Sequence, residues 1–248
     1  MEPPVKGSAY CMKTAQTYLN GNAYPGRGML MGLHCDGQNA VIAYFIMGRS
    51  ENSRNRIFVK DGSGLRTHPF DASKMRDPSL VIYSPVRVLG NQTIVCNGDH
   101  TDTIYEFLRE GKTFEAALRT RTFEPDGPHY TPRISALLTK KPRNTFSYQL
   151  SILKASEGVE KVCQRYFYEY ERPVLGEGHL IHTYMKDSTH VLPSFVGDPV
   201  RVAISGSIDA YTRTLWNALD PDNKVSLFVR YINLLTGETQ TKIENKNQ

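Results

Sequence analysis

"MLMGLHCDGQNAVIAYFIM", residues 29–47, decides how the chain folds. Two apolar runs, 29–35 and 39–47, meet around Asp36-Gly37. Asp-Gly between such runs is a strong hairpin signal, because both residues accept the positive φ of a tight reversal. The second run barely alternates with polar residues. Tyr44, Phe45 and Ile46 in near-continuous apolar company predict a strand buried on both faces.

Outward from this hairpin the strand character continues in "RIFVK" (56–60), "SLVIYSPVRVL" (79–89) and "TIVCNG" (93–98). A helix follows in "HTDTIYEFLREG" (100–111), where Ile104, Phe107 and Leu108 repeat at i, i+3, i+4. Thr101 or Asp102 is placed to cap its start and Gly111 its end. "TFEAALRTRTF" (113–123) reads as a second helix. Strands return in "SYQLSILKA" (147–155), "CQRYFYEYE" (163–171) and "HLIHTYM" (179–185). A late helix, "DAYTRTLWNAL" (209–219), and a last strand, "VSLFVRYINLLTG" (225–237), complete the order. Near the start, "AYCMKTAQTYLNGN" (9–22) reads as a short helix ending at Gly21. Regular alternation of strand and helix is missing, which points to an α+β fold with mainly antiparallel sheets. No internal repeat and no linker-like break interrupts it, so one domain is expected.

Composition excludes several classes. No stretch approaches the ~18 apolar residues of a membrane span, and "MEPPVKGSAYCMK" lacks the apolar centre of a secretory signal. Cys11, Cys35, Cys96 and Cys163 are irregularly spaced, so free thiols in a reducing cytoplasm are expected rather than disulfides or a zinc site. The net charge of +5 mildly favours anionic partners. Basic residues are dispersed rather than interleaved with aromatics, which argues against nucleic acid. "TKKPR" (139–143) reads as a solvated turn. H-E-x-x-H, G-x-S-x-G, Walker and G-x-G-x-x-G motifs are all missing.

Two polar clusters stand out. "GRSENSRNR" (48–56) places Arg49, Arg54 and Arg56 after a strand that reads as buried. "VCNGDHTDTI" (95–104) crowds Asp99, His100, Thr101 and Asp102 at a helix entrance, where unpaired N–H groups and the helix dipole suit an anion or polar substrate atom. Capping alone needs only one of these residues. His100 between two carboxylates suits a proton carrier near neutral pH. "YTPRI" sets Arg133 at a loop-to-strand junction. His179 and His182, three apart on a strand, point to opposite faces and do not share a metal.

Four signatures in order, "YPGRG" (24–28), "GRSENSRNR" (48–56), "CNGDHTDTI" (96–104) and "YTPRI" (130–134), resemble the archaeal-type IMP cyclohydrolases and their bacterial relatives. Weaker similarity surrounds "HTY" (182–184), and "LPSFVGDP" resembles the longer bacterial forms. The resemblance implies an N-terminal extension, 1–23, before a single domain, 24–248. It implies a four-layer αββα core similar to N-terminal-nucleophile hydrolases, without their self-processing. It also implies closure of 5-formamidoimidazole-4-carboxamide ribotide to inosine monophosphate with loss of water. That chemistry requires no covalent nucleophile, metal or cofactor, only donors around a developing oxyanion and a proton carrier. His100 is the expected carrier, with Asp102 orienting it and Asn97 holding a polar edge; Asp99 or Tyr184 could replace His100. Arg27, Arg49, Ser50, Asn52, Arg54, Asn55, Arg56, Gly98, Thr101 and Arg133 are the expected substrate contacts. The expected partner is a purine-precursor ribonucleotide, with neither nucleic acid nor membrane, and a homo-oligomer is expected. Two rivals stay open: an amide hydrolase using Cys11 after cleavage behind Tyr10, and a non-catalytic nucleotide or RNA sensor.

Overall fold

The computed structural model describes residues 12–75, 78, 80–156 and 159–247. The cleavage-dependent use of Cys11 lies outside the described residues. In chain order the elements are α1 (Ala15–Leu19), β1 (Arg27–Leu33), β2 (Asn39–Met47), α2 (Glu51–Arg54), β3 (Arg56–Asp61), β4 (Gly64–Pro69), β5 (Val86–Leu89), β6 (Gln92–Cys96), α3 (His100–Arg109) and α4 (Phe114–Arg119). Then come β7 (Arg133–Lys141), β8 (Thr145–Ser156), β9 (Val159–Tyr170), β10 (Glu177–His182), β11 (Val200–Ala203), α5 (Ile208–Ala218), β12 (Lys224–Asn233) and β13 (Thr239–Asn245).

The fold is α+β. One sheet has the order β11-β10-β1-β2-β12-β13, the other β3-β4-β5-β6-β7-β8-β9. Every pairing between named strands is antiparallel. The predicted hairpin joins β1 to β2. Asp36 Oδ1 accepts the N–H groups of Gln38 at 2.7 Å and Asn39 at 3.2 Å, and Gly37 supplies φ +71°. This Asx-type turn fixes the register, because a slip of one residue would exchange the two faces of β2.

Both faces of β2 are covered, as its sequence predicts. Ile42, Tyr44 and Ile46 enter a cluster shared by both sheets, with Phe58, Val95, Ile134 and Leu150. Val41, Ala43, Phe45 and Met47 enter a second cluster with Ala15 and Leu19 of α1 and Ile208 and Leu215 of α5. The two-residue period of a strand separates the sets. A third cluster joins Ile94, Cys96, Leu137 and Leu153 to Ile104, Phe114 and Leu118 of α3 and α4. Among the described residues no helix is long and apolar enough to cross a membrane.

Three expectations need correction. The run 79–89 contributes only Val86–Leu89 as strand. Pro85 cannot donate to a ladder, and the segment before it instead gives Tyr83 N–H to Thr67 Oγ1 at 2.8 Å. The strands β4, β11 and β13 were not legible, being short or mostly polar, and β7, foreseen only as a strand starting at Arg133, runs on through Thr139–Lys141 of the expected turn. The cap of α3 is Asp99, not Thr101 or Asp102, and its side chain makes no capping bond. By contrast His179 and His182 do face opposite ways: His179 Nδ1 meets Tyr148 at 2.7 Å, and His182 Nε2 meets Tyr18 of α1 at 2.8 Å.

Candidate functional site

Strand parity drives two arginines into the layer between the sheets. Arg27 stands two residues before Met29 on β1, and Arg56 two before Phe58 on β3, so each shares the inward face of its neighbour. Both are buried, Arg56 completely. Tyr44 lies on the same face of β2, and its hydroxyl meets that of buried Tyr83 at 2.8 Å. Glu124, on the segment between α4 and β7, is 1% exposed. Its carboxylate Oε2 lies 3.9 Å from Arg27 Nη2.

Three atoms of this group are buried and unpartnered: Arg27 Nε, Arg56 Nη1 and Glu124 Oε2. The other Arg56 nitrogens are engaged, Nε with Ser53 O at 2.8 Å and Nη2 with Met47 O at 3.4 Å. Buried polar groups are nearly always satisfied, so three open valences in one charged cluster make it the candidate site. Burial pushes the Glu124 carboxyl up to about 7, against the opposing pull of Arg27 and Arg133. Burial alone would lower the Arg27 pKa, but Glu124 reverses the balance and keeps the guanidinium charged. Burial pushes the Arg56 pKa down.

A tyrosine wall flanks the cluster. Tyr24 stacks on Tyr184 with ring centroids 6.0 Å apart. Thr131 Oγ1 donates to Asp126 Oδ2 and lies 2.5 Å from Tyr184 Oη, so it accepts from the tyrosine. Burial raises the Tyr184 pKa, which keeps the phenol protonated. The wall approaches β1 closely enough that Gly26 (φ +79°) is required: a Cβ there would lie 2.2 Å from Thr183 Oγ1. Leu192 packs in the same cluster as Tyr24 and Tyr184. Its N–H reaches His129 Nδ1 at 3.4 Å, and both residues also line a groove of about 870 Å³ that runs on to Tyr166 and Tyr168.

The 97–102 stretch is placed differently from its expected roles. Asn97 is wholly buried, and its side chain stitches β6 to β7: Oδ1 accepts from Ile134 N at 2.8 Å and Nδ2 donates to Pro132 O at 2.9 Å. His100 is also wholly buried. Its Nε2–H donates to Ile134 O at 3.2 Å, which leaves Nδ1 to accept from Arg133 Nη1 at 3.0 Å. Burial, reinforced by Arg133, pushes its pKa down to about 3, so the ring is neutral at pH 7. The expected His100–Asp102 pair does not form. Asp102 points outward and binds Arg87 at 2.7 Å, because helical geometry turns residue 102 away from residue 100. Asp99 gives up capping to hold Arg133 at 2.6 Å and Arg121. Thr101 Oγ1 closes the turn on Gly98 O at 2.8 Å. A Cβ at Gly98 would lie 2.7 Å from Arg133 Nη1, so glycine makes room for the end of that side chain, and only 3.5 Å, an ordinary contact, from Glu124 Oε1.

The arginine loop also separates its members. Ser50 and Ser53 close a capping box around α2. Arg49 is pulled towards Asp187 Oδ1 at 2.9 Å and Ser188 O at 2.8 Å, with its guanidinium 5.0 Å from the centre of the Tyr24 ring. Arg54 donates to Gly48 O and to Asn223 Oδ1, both at 2.9 Å. Asn55 is spent on the backbone of Asp71, at 2.7 and 2.8 Å. Asn52 sits half-buried on α2. Only Arg56 joins Arg27. Glu124, Tyr24, Tyr44 and Tyr83 were not expected as site residues, although Tyr24 opens the "YPGRG" signature and Tyr44 read as a buried strand position. For Glu124 the one available signal was an acid in "FEPDGPH", which reads as an ordinary surface turn.

Residues 24–238 match the model of a family described as IMP cyclohydrolase-like protein. The chain is 29% identical over 164 residues to an IMP cyclohydrolase of Methanopyrus kandleri, covering 65% of this chain and 75% of that protein. It is 32% identical over 122 residues to that of Methanococcus maripaludis strain C7, covering 47% and 59%, and 28% identical over 116 residues to that of Methanothrix thermoacetophila, covering 45% and 57%. The matched stretch thus spans less than two thirds of the length of the latter two.

Proposed function

Because the chain belongs to the IMP cyclohydrolase-like protein family, we propose that it closes 5-formamidoimidazole-4-carboxamide ribotide to inosine monophosphate. In this reaction the carboxamide nitrogen bonds to the formyl carbon and gives up one of its two protons. The formyl oxygen takes a proton and becomes a hydroxyl. The formamido nitrogen then loses its proton as the hydroxyl departs, and one water is released. Nucleophile and electrophile are tethered, so much of the entropic barrier is already met by the substrate. What the protein supplies is orientation, donors for the developing oxyanion, and a proton carrier.

The observation that carries this reading is the convergence of Arg27 Nε, Arg56 Nη1 and Glu124 Oε2, buried and unpartnered. In this reading Glu124, with a pKa of about 7, takes and returns the proton near neutral pH. Arg27 and Arg56 donate to the substrate's oxygens. His100, Asp99 and Gly98 position Arg133 beside Glu124. Arg49, at the Tyr24 rim, receives the 5′-phosphate, where an arginine fork fits the anion. Asn97, Asn55 and Thr101 hold the frame. No step needs a metal ligand set. The three apolar clusters, one between the sheets and one beneath each helix pair, support a four-layer αββα reading like that of the N-terminal-nucleophile hydrolases. Residues 24–248 then form one domain, with α1 of the preceding segment packed into its helix layer, acting as a cytoplasmic homo-oligomer without nucleic acid.

The test is direct. Incubated with the formamido ribotide, the protein should form inosine monophosphate well above the uncatalysed rate. Tight binding of the ribotide without turnover would instead mark a nucleotide-binding relative that lacks the activity.

A further inference from the structure

The opposite end of the inter-sheet layer holds a third inward-facing arginine, Arg230, with no acid paired to it. Arg230 lies on β12 between Phe228 and Ile232, both of which enter the apolar cluster between the sheets. Strand parity therefore points Arg230 inward too. It is 6% exposed. Its Nε donates to Thr241 Oγ1 at 3.0 Å, on the neighbouring β13, and among the described residues no hydrogen bond engages the terminal nitrogens. The guanidinium carbon lies 5.0 Å from the centre of the Phe228 ring, and the residue borders open space. That space is a cleft of about 300 Å³, lined also by Lys60, Lys140, Thr93 and Thr239, with no Asp or Glu in its lining. No ion pair involves Lys60, Lys140 or Arg230 among the described residues. Two hairpin tips, at 62–63 and 90–91, and the turn at Gly237 close around the cleft.

A buried cation without a counter-charge is costly, and natural interiors pair such groups. Here two further cations crowd the same cleft, which compounds the repulsion. A bound anion removes it. The threonine hydroxyls add neutral donors of the kind that orient phosphate oxygens. The site is distinct from the Arg27–Glu124 cluster. Along β7 it lies at Lys140, seven positions from Arg133, or roughly 24 Å of extended strand.

We propose that this cleft binds a small phosphate-bearing anion through Arg230, Lys60 and Lys140. It is a second anion site, separate from the reaction and independent of the activity proposed above. Its volume matches the lower end of small-molecule pockets and admits a mononucleotide but not a folded RNA.

The experiment is a titration of the full ¹⁵N-labelled chain with inorganic phosphate, and in parallel with adenosine 5′-monophosphate, at ionic strength held constant with sodium chloride. The amides of Gly62, Gly90 and Gly237 should shift and saturate with either probe. In the Lys60→Ala/Lys140→Ala variant, and separately in Arg230→Gln, the midpoint should rise about tenfold or more. Both lysines are partly exposed at strand ends, so the double variant keeps its fold and tests the site even where Arg230→Gln does not. If the nucleotide saturates these amides at lower concentration than phosphate, the natural occupant is a phosphorylated metabolite; equal midpoints assign free phosphate. Shifts that never saturate, or that the lysine variant reproduces unchanged, overturn the proposal.

Discussion

Glu124 Oε2 and Arg27 Nη2 face each other across 3.9 Å, too far for a hydrogen bond, and the carboxylate oxygen has no other partner. At this separation the two opposite charges attract each other while each keeps hydrogen-bonding capacity unused. The separation also keeps the carboxyl pKa near 7 rather than deeply depressed, because a tighter ion pair would hold the proton off.

Glu124→Gln keeps the shape and removes the proton exchange. Turnover should fall about 10²–10⁴-fold, while substrate affinity changes little. In the parent, kcat should rise as pH passes upward through about 7, where the carboxyl ionises. The variant should lack that step. A parent-like profile in the variant would remove Glu124 from the proposed chemistry.

Arg49→Ala should weaken nucleotide binding by about 10- to 150-fold, the equivalent of a lost charge-assisted hydrogen bond of roughly 1.5–3 kcal/mol. The corresponding nucleoside should bind both proteins alike. Arg54→Ala should leave both affinities near parent, since its guanidinium is committed to Gly48 and Asn223. Calorimetry on the four combinations separates a phosphate grip from a general loss of loop structure.

His100→Asn should lower stability by about 1–3 kcal/mol, because a buried ring bonded at both nitrogens is lost. Asp102→Asn should change stability by less than about 1 kcal/mol, as expected for an exposed ion pair. The pH dependence carries a further signature. The folded pKa of His100, about 3, lies below its ordinary value of 6.5, so its contribution is complete above about 6.5 and is lost as pH falls towards 3. Glu124 acts oppositely: its raised pKa contributes most below about 4.5 and is lost as pH rises to about 7. Urea titrations between pH 4 and 6 should show the stability slope reduced by up to ~1.4 kcal/mol per pH unit in His100→Asn, and made steeper in Glu124→Gln.

Gly98→Ala should cut turnover more than it cuts stability. The added Cβ meets the end of the Arg133 side chain, which can swing away, but only by leaving its place beside Glu124. A melting temperature lowered as far as in His100→Asn, with turnover intact in the folded fraction, would show that Gly98 serves the turn alone.

The hairpin at 29–47 was legible because its signals are local: a turn pair, a period, a run length. The same holds for α3, whose apolar positions and terminal Gly111 lie within one element. The site was legible only in outline. "GRSENSRNR" announced its arginines, but α2 disperses them, and one short helical turn separates a rim residue, a strut and a buried cation. "NGDHTD" announced its polar density but not its direction, since whether His100 faces water or Ile134 O depends on β7, more than thirty positions on. Glu124 gave no warning at all. Its raised pKa comes from burial in the assembled core, against the opposing pull of arginines from β1, β3 and β7, and no local pattern encodes that.

The strand order of the first sheet has a consequence during synthesis. The second sheet is contiguous from β3 to β9, so it can zip up as it emerges. β2 cannot. Its second neighbour is β12, which begins only at Lys224. Until then one of the most apolar strands of the chain presents an open edge and a face still waiting for α5. Nascent chains halted before Lys224 should therefore be the aggregation-prone ones and those that chaperones hold.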